Sequence, residues 1–212
     1  MTALLVAGVV AAVGLAIYAA WQMDKKRTEG MRQAALAMGF TFAERDDAVL
    51  GHAFPAFDRG HSRRAKNVMT GQTGGRPVTL FDHQYTIRSG KNSHTHRQTV
   101  AVFERGGPLP DFSLGPEHFF HKIATSLGYQ DIDFAENPEF SKHYLLRGAD
   151  ETAIREVFNA DVLAFLSHER GWSVQCAGGA VAVLRADKRC DPGQAPAFLA
   201  DCLRIASKLR SE

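Results

Sequence analysis

The first part of the chain is apolar without interruption, whereas the rest alternates between apolar and polar positions. Ala3 to Trp21 are nineteen consecutive apolar or small residues, and no charged residue precedes Asp24. A helix of that length measures about 28 Å, close to the roughly 30 Å of a bilayer's hydrocarbon core. We therefore predict a transmembrane anchor over residues 1–23. A cleaved secretory signal is the disfavoured alternative, because no Lys or Arg precedes the apolar run.

Three basic residues set the expected orientation of this segment. Lys25, Lys26 and Arg27 follow the apolar run directly, and no basic residue stands before it. Basic residues favour the cytoplasmic side of a membrane. The pattern predicts a single-pass protein of the inner membrane, with the N-terminus outside and the rest of the chain in the cytoplasm. Good helix formers continue to Gly39, which predicts a helical stalk over residues 24–39.

The soluble part, residues 40–212, begins with a predicted meander of antiparallel strands. Three segments are rich in β-branched and aromatic residues and are separated by turns that contain glycine. They are Asn67–Thr70, Pro77–Arg88 and Gln98–Phe103.

Helices and further strands follow in the second half. The predicted helices run from Pro116 to Leu127, from the N-cap Asp150 to Leu166, and from Ala195 to Leu209. The predicted strands are Phe140–Arg147 and a hairpin of Trp172–Cys176 with Ala180–Arg185. This order indicates an α+β domain with a mainly antiparallel sheet and helices on one face. The soluble domain divides into two possible lobes, residues 40–135 and 136–212.

Composition narrows the class of protein. The 212 residues are 45% hydrophobic and 23% charged, which excludes a disordered chain. Three cysteines argue against a disulfide scaffold or a zinc ribbon. No nucleophile elbow or phosphate-binding loop is present, so we predict no catalytic residue and no cofactor.

Positive charge is concentrated in one segment. Residues 59–105 hold nine Lys+Arg against two Asp+Glu, although the net charge of the whole chain is only +2. This basic segment could pair with the acidic second lobe, which is the favoured interpretation, or bind an acidic partner or anionic lipid. Nucleic acid is not indicated. The candidate partner- or lipid-binding residues are Arg59, Arg63, Arg64, Lys66, Arg88, Lys91 and Arg97.

Two pairs of histidines raise a metal hypothesis. His94 and His96 lie in a predicted hairpin loop and would share one face if that stretch is extended, and His118 and His121 would share one face of a helix. The order around the second pair is E-H-x-x-H rather than the zinc-protease order H-E-x-x-H, and no third ligand is identifiable. A metal-dependent hydrolase that uses these histidines therefore stands as an alternative function.

Four stretches together resemble a known group of proteins: Leu80–Arg88, Thr95–Glu104, Leu109–Glu117 and Phe140–Gly148. They are similar to uncharacterised bacterial proteins that have one N-terminal span and a cytosolic α+β domain. The resemblance implies that architecture and no activity.

The leading functional hypothesis follows from the anchor and from the absence of catalytic motifs. It is a non-enzymatic membrane-anchored domain that binds a protein partner or serves as an accessory subunit of a membrane complex. Binding of anionic lipid through residues 59–97 is the third hypothesis.

Overall fold

The computed structural model describes residues 2–104, 109–116 and 131–209, and for residues 2–7 and 9 the backbone alone. Its centre is one eight-stranded antiparallel sheet in the order β1-β2-β3-β4-β8-β7-β5-β6. The strands are β1 (Thr41–Arg45), β2 (His61–Thr73), β3 (Arg76–Ser89), β4 (Asn92–Phe103), β5 (Phe112–Gly115), β6 (Leu145–Gly148), β7 (Ser173–Ala177) and β8 (Ala180–Leu184).

Five α-helices and two short 3₁₀ turns accompany this sheet in the described part of the chain. The helices are α1 (Thr2–Ala37), α2 (Pro138–His143), α3 (Glu151–Val157), α4 (Ala160–His168) and α5 (Ala195–Lys208). The 3₁₀ turns are Asp47–Gly51 and Pro192–Gln194.

Tight glycine turns close the hairpins that the sequence predicts. Gly74 and Gly75 join β2 to β3, and Gly178 and Gly179 join β7 to β8, all four with positive φ. A two-residue turn with positive φ at both positions matches the twist of antiparallel strands. The predicted hairpin and the three predicted strands are confirmed, and β2 and β4 are longer than predicted.

The two faces of the sheet are covered differently. The helix face packs against all five helices, including Met31 and Ala35 of α1, which are fully buried. The opposite face is covered by a loop that inserts Phe54 and Phe57. The α+β prediction with helices on one face is confirmed.

Strands from the two predicted lobes join in the same sheet. Val100 to Phe103 of β4 pair with Leu184 to Val181 of β8. The backbone ladder therefore runs without a break from the first segment into the second.

Two local predictions differ from the structure because side-chain caps start helices there. The predicted strand from Phe140 is helical up to His143, since the Asn137 side chain accepts a hydrogen bond from the Phe140 N–H and Pro138 stands at the first position. The predicted helix from Asp150 is two helices, because Asn159 caps a second one by accepting from the Val162 N–H.

The predicted helix from Pro116 to Leu127 lies almost entirely outside the described residues. Helix α1 continues to Ala37 as predicted, and Gly39 follows it with φ of 71°. Its second half packs on the sheet instead of holding the domain away from the apolar segment.

Candidate functional site

The large hydrophobic side chains that are exposed in the described part of the chain all lie on α1. We call residues 10–23 the apolar segment of α1. All of its residues are exposed, including Leu15 at 75% and Trp21 at 50%. The other large side chains of the segment are also at least half exposed: Val10, Val13, Ile17, Tyr18 and Met23.

The prediction of a single-pass inner-membrane protein is wrong. No helix, over the residues that the structure describes, is both long enough and apolar enough to cross a membrane. From Asp24 onward, the helix is bonded to the sheet.

A buried ion pair attaches α1 to the sheet just after the apolar segment. Arg27 donates from Nε and Nη2 to the two carboxylate oxygens of Asp82 on β3, both at 2.7 Å. Its Nη1 donates to the Cys190 carbonyl at 2.8 Å. Burial lowers the pKa of Arg27, but the bonds to Asp82 outweigh burial, and the pKa is raised above its ordinary value. This fork geometry fixes both the position and the rotation of the helix.

Two neighbouring side chains complete the set of bonds to Asp82. Asn67 Nδ2 donates to Oδ2 at 2.8 Å, and Thr99 Oγ1 donates to Oδ1 at 2.9 Å. Asn67 has φ of 52° within a register shift of β2. Such a bulge redirects a side chain out of the regular alternation, and here the Asn67 amide reaches the carboxylate.

A second ion pair lies at the start of the attached part of α1. Lys66 Nζ on β2 donates to Asp24 Oδ2 at 2.7 Å, and Arg189 approaches Oδ1 to 3.9 Å. Burial raises the pKa of Asp24, yet Lys66 and then Arg189 and Arg97 lower it below its ordinary value. The apolar segment therefore ends where Asp24 of α1 meets the basic side chains of Lys66 and Arg189.

On the opposite face, a row of aromatic and imidazole rings follows β3. The ring centroids are 5.1 Å apart for Phe57 and His83, 5.2 Å for His83 and Tyr85, and 5.0 Å for Tyr85 and His96. His83 is fully buried. Burial, and then the positive charges of Arg59 and Arg63, lower the pKa of His83 to about 4. This imidazole is neutral at pH 7 and enclosed.

Arg59 covers this row at a buried position. It is 7% exposed, and its guanidinium carbon lies 5.0 Å from the centroid of the Tyr85 ring. Its Nε and Nη2 find no hydrogen-bond partner among the described residues. Burial raises the pKa of the Tyr85 hydroxyl to about 12, although Arg59 opposes that shift. The guanidinium is held there by its contact with the ring face.

The remaining candidate basic residues lie on both faces and at the edges of the sheet. Arg63 bonds Asp58, and Arg97 bonds the Gln84 side chain. Arg64, Arg88 and Lys91 make no ion pair with the described residues. The ion-pair partners of Lys66 and Arg63, Asp24 and Asp58, lie in the first 58 residues rather than in the acidic second lobe.

The first histidine pair of the metal hypothesis lies on β4. The predicted hairpin loop at this place is wrong, because His94 and His96 lie within the strand and share one of its faces. Both line an open cleft of about 570 Å³. His96 Nδ1 lies 2.7 Å from Asp187 Oδ1. His118 and His121 lie outside the described residues. Within the described ranges, no three His, Cys, Asp or Glu side chains gather as metal ligands.

The cysteines of the chain do not offer an activated nucleophile. Cys176 and Cys202 are buried, and burial raises the pKa of Cys202 well above its ordinary value. Burial likewise raises the pKa of Cys190. These groups are poorly suited to nucleophilic catalysis.

Sequence reasoning missed the Arg27–Asp82 pair. The two residues stand 55 positions apart, so their spacing indicates nothing. One signal was available: Asp82 follows Leu80 at the strand period of two and so falls on the face of β3 that packs against helices. A carboxylate at such a position requires a buried partner.

Comparison with known proteins finds a likeness of fold. No family model matches the chain, and no curated protein matches its sequence. The structure is similar to that of the mycobacterial trehalose monomycolate transport factor A, TtfA, with a TM-score of 0.65 and 13% sequence identity. The match covers 86% of this chain and 94% of that chain. At that identity the likeness shows a shared fold alone.

Proposed function

We propose that this chain is a non-enzymatic accessory protein of a transport process, and that it binds a protein partner through the apolar segment of α1. The observation that carries the proposal is the exposure of that segment in a helix that is otherwise bonded to the sheet. The fold neighbour is itself named a transport factor, which supports the transport part of the proposal.

The distribution of side chains in the segment favours a protein partner that surrounds the helix. Val13, Leu15, Ile17 and Tyr18 are all more than half exposed and point in different directions around the helix axis. A helix that is apolar on every side is stable only when apolar groups cover every side. The expected partner therefore offers a deep apolar groove or a set of helices.

The attachment of α1 supports an accessory role. Arg27 and Asp82 hold the helix at one angle to the sheet, and Asp24 with Lys66 holds it at the point where the segment leaves the domain. A partner bound to the segment is thereby held at a defined position relative to the sheet. Such a rigid link suits an adaptor that positions one protein beside another.

The test compares two charged substitutions on the same helix. Tagged full-length protein is purified under native conditions from its own host, and the mass and stoichiometry of the recovered complex are measured. Ile17→Glu places a charge in the apolar segment, where Ile17 is 66% exposed. Leu36→Glu is the matched control, because Leu36 is 64% exposed on the same helix but outside the segment.

We expect a partner at fixed stoichiometry with the unaltered chain and with Leu36→Glu, and its loss with Ile17→Glu. Burying a charge against an apolar surface costs several kcal/mol, which is enough to abolish most complexes. Recovery of the bare chain under several conditions, or equal recovery of the partner with both variants, contradicts the proposal.

A further inference from the structure

One half of β4 leaves a sheet edge open. β4 runs from Asn92 to Phe103, but β8 pairs with it only over Val100–Phe103. At Thr99 the outer edge is still occupied, since the Thr99 N–H donates to the Lys188 carbonyl at 3.0 Å. Successive residues of a strand point their backbone groups to opposite sides. Thr95 and Arg97 therefore present their N–H and carbonyl groups to the same outer edge as Thr99.

This open edge is accessible. Asn92 to Thr95 and Arg97 are exposed, and no backbone hydrogen bond from the described residues reaches the outward groups of Ser93 or Thr95. The edge lies along the open cleft of about 570 Å³, whose other side is formed by Asp187 and Arg189. Five residues of strand span about 17 Å, which is an ordinary strand length.

Positive charge surrounds the edge. Arg97 and Arg189 line the cleft together with His94, and Arg88 and Lys91 lie at the nearby hairpin tip. The one acidic lining residue, Asp187, is bonded to His96. Burial, and then the neighbouring charges of Arg27 and Arg97, lower the pKa of Arg189. Asp24 of α1 approaches Arg189 only to 3.9 Å, and Arg97 bonds the neutral amide of Gln84. Positive charge is therefore in excess along the cleft.

We propose that the edge of β4 from Ser93 to Arg97 binds an extended acidic segment of a partner protein, which adds a strand to the sheet beside Arg97 and Arg189. Backbone hydrogen bonds supply affinity in this mode of binding, and the side chains that flank the edge supply specificity. A second copy of this chain is disfavoured, because antiparallel pairing of two such edges places like charges opposite one another. The site does not include the apolar segment of α1 and does not depend on a partner bound there, although Arg189 also approaches Asp24 of that helix.

The test uses full-length protein and two synthetic peptides. One is a capped seven-residue peptide in which valine and glutamate alternate, and the other has lysine in place of glutamate. Fluorescence anisotropy gives the affinity of each, and amide hydrogen exchange locates the contact. We expect the acidic peptide to bind at least about tenfold more tightly and to slow exchange at Thr95 and Arg97.

Two variants with matched controls locate the site independently. Thr95→Pro removes one outward N–H, and proline is tolerated on an edge strand where that N–H faces solvent; Thr95→Val keeps it. Arg189→Glu reverses a charge of the cleft, and Arg170→Glu makes the same change at an exposed position elsewhere. Thr95→Pro and Arg189→Glu should each weaken binding by at least about tenfold, and the controls should leave it unchanged.

Several results would overturn this proposal. They are no binding of the acidic peptide at millimolar concentration, equal affinity for the two peptides, protection at another part of the sheet, or unchanged affinity in Thr95→Pro and Arg189→Glu. Self-association of the chain that Thr95→Pro abolishes would also overturn it, since the occupant of the edge would then be a second copy.

Discussion

Replacement of Asp82 by alanine tests the attachment of α1 to the sheet. The Asp82 carboxylate accepts bonds from Arg27 Nε and Nη2, Asn67 Nδ2 and Thr99 Oγ1, at 2.7, 2.7, 2.8 and 2.9 Å. The side chains of Arg27 and Asp82 are only 11% and 6% exposed. Alanine leaves the Arg27 cation buried without its counter-charge. We expect the free energy of unfolding to fall by about 3–5 kcal/mol.

A double-mutant cycle distinguishes the interaction between Arg27 and Asp82 from a simple loss of packing at position 82. Arg27→Met removes the buried cation that Asp82→Ala leaves without a counter-charge. The double variant should therefore lose at least about 1 kcal/mol less unfolding free energy than the sum of the two single losses. Urea denaturation followed by circular dichroism and tryptophan fluorescence measures each variant. The exposed pair Arg32–Glu44 is the control, and Glu44→Ala should cost less than about 1 kcal/mol.

Two outcomes would refute this reasoning about the attachment. The first is a loss of less than about 1 kcal/mol in Asp82→Ala, comparable with that of an exposed pair. The second is additivity of Arg27→Met and Asp82→Ala, because independent effects would mean that the two groups do not stabilise one another.

Three further predictions concern the rest of the fold. The pKa of His83 is about 4 in the folded chain, below the ordinary 6.5, so the unfolded chain binds its proton more tightly. The free energy of unfolding should therefore fall by roughly 3 kcal/mol as the pH drops from 6.5 to 4. His83→Gln should flatten the pH profile of the urea midpoints, and an unchanged profile would contradict this. Gly71→Ala should cost about 1–3 kcal/mol in the same urea assay, because its Cβ would lie 2.3 Å from the Phe40 ring; Gly193→Ala, whose Cβ meets nothing within 4 Å, is the control, and equal effects of the two would count against the steric argument. Asn159→Ala should cost about 1 kcal/mol through loss of its cap, and thermal melts that coincide with those of the unaltered chain would show that the cap is unimportant.

Local signals in the sequence were sufficient for much of the sheet. Alternating β-branched and aromatic residues mark β3, and paired glycines such as Gly178 and Gly179 mark a two-residue turn. These signals depend only on neighbours in the sequence. The start of α2 was mistaken for a strand because its cap, Asn137 with Pro138, is also a common turn pattern.

The contacts that build the candidate site depend on residues far apart in the sequence. Arg27 meets Asp82 across 55 positions, and Arg59 meets Tyr85 only after the loop before β2 folds back over β3. Lys66 was a candidate for binding a partner or lipid, but it bonds Asp24 of α1. Pairings of this kind follow from how the sheet packs, which periodicity does not reveal.

The opening of the chain illustrates the limit of hydropathy. Its apolar run predicted a membrane span, whereas the described helices include none that could cross a membrane. What the sequence did indicate correctly is that the apolar segment is not part of the domain core. In the structure it is exposed, and the charged residues that follow it bind to β2 and β3.

The central claim is that the apolar segment of α1 is the surface that binds a protein partner. Its most direct test is site-specific photo-crosslinking in the host cell, with a photoreactive residue at position 17 or, as the control, at position 36. We predict one dominant protein adduct from position 17 and none from position 36. No adduct at position 17, or the same adducts from both positions, would contradict the claim.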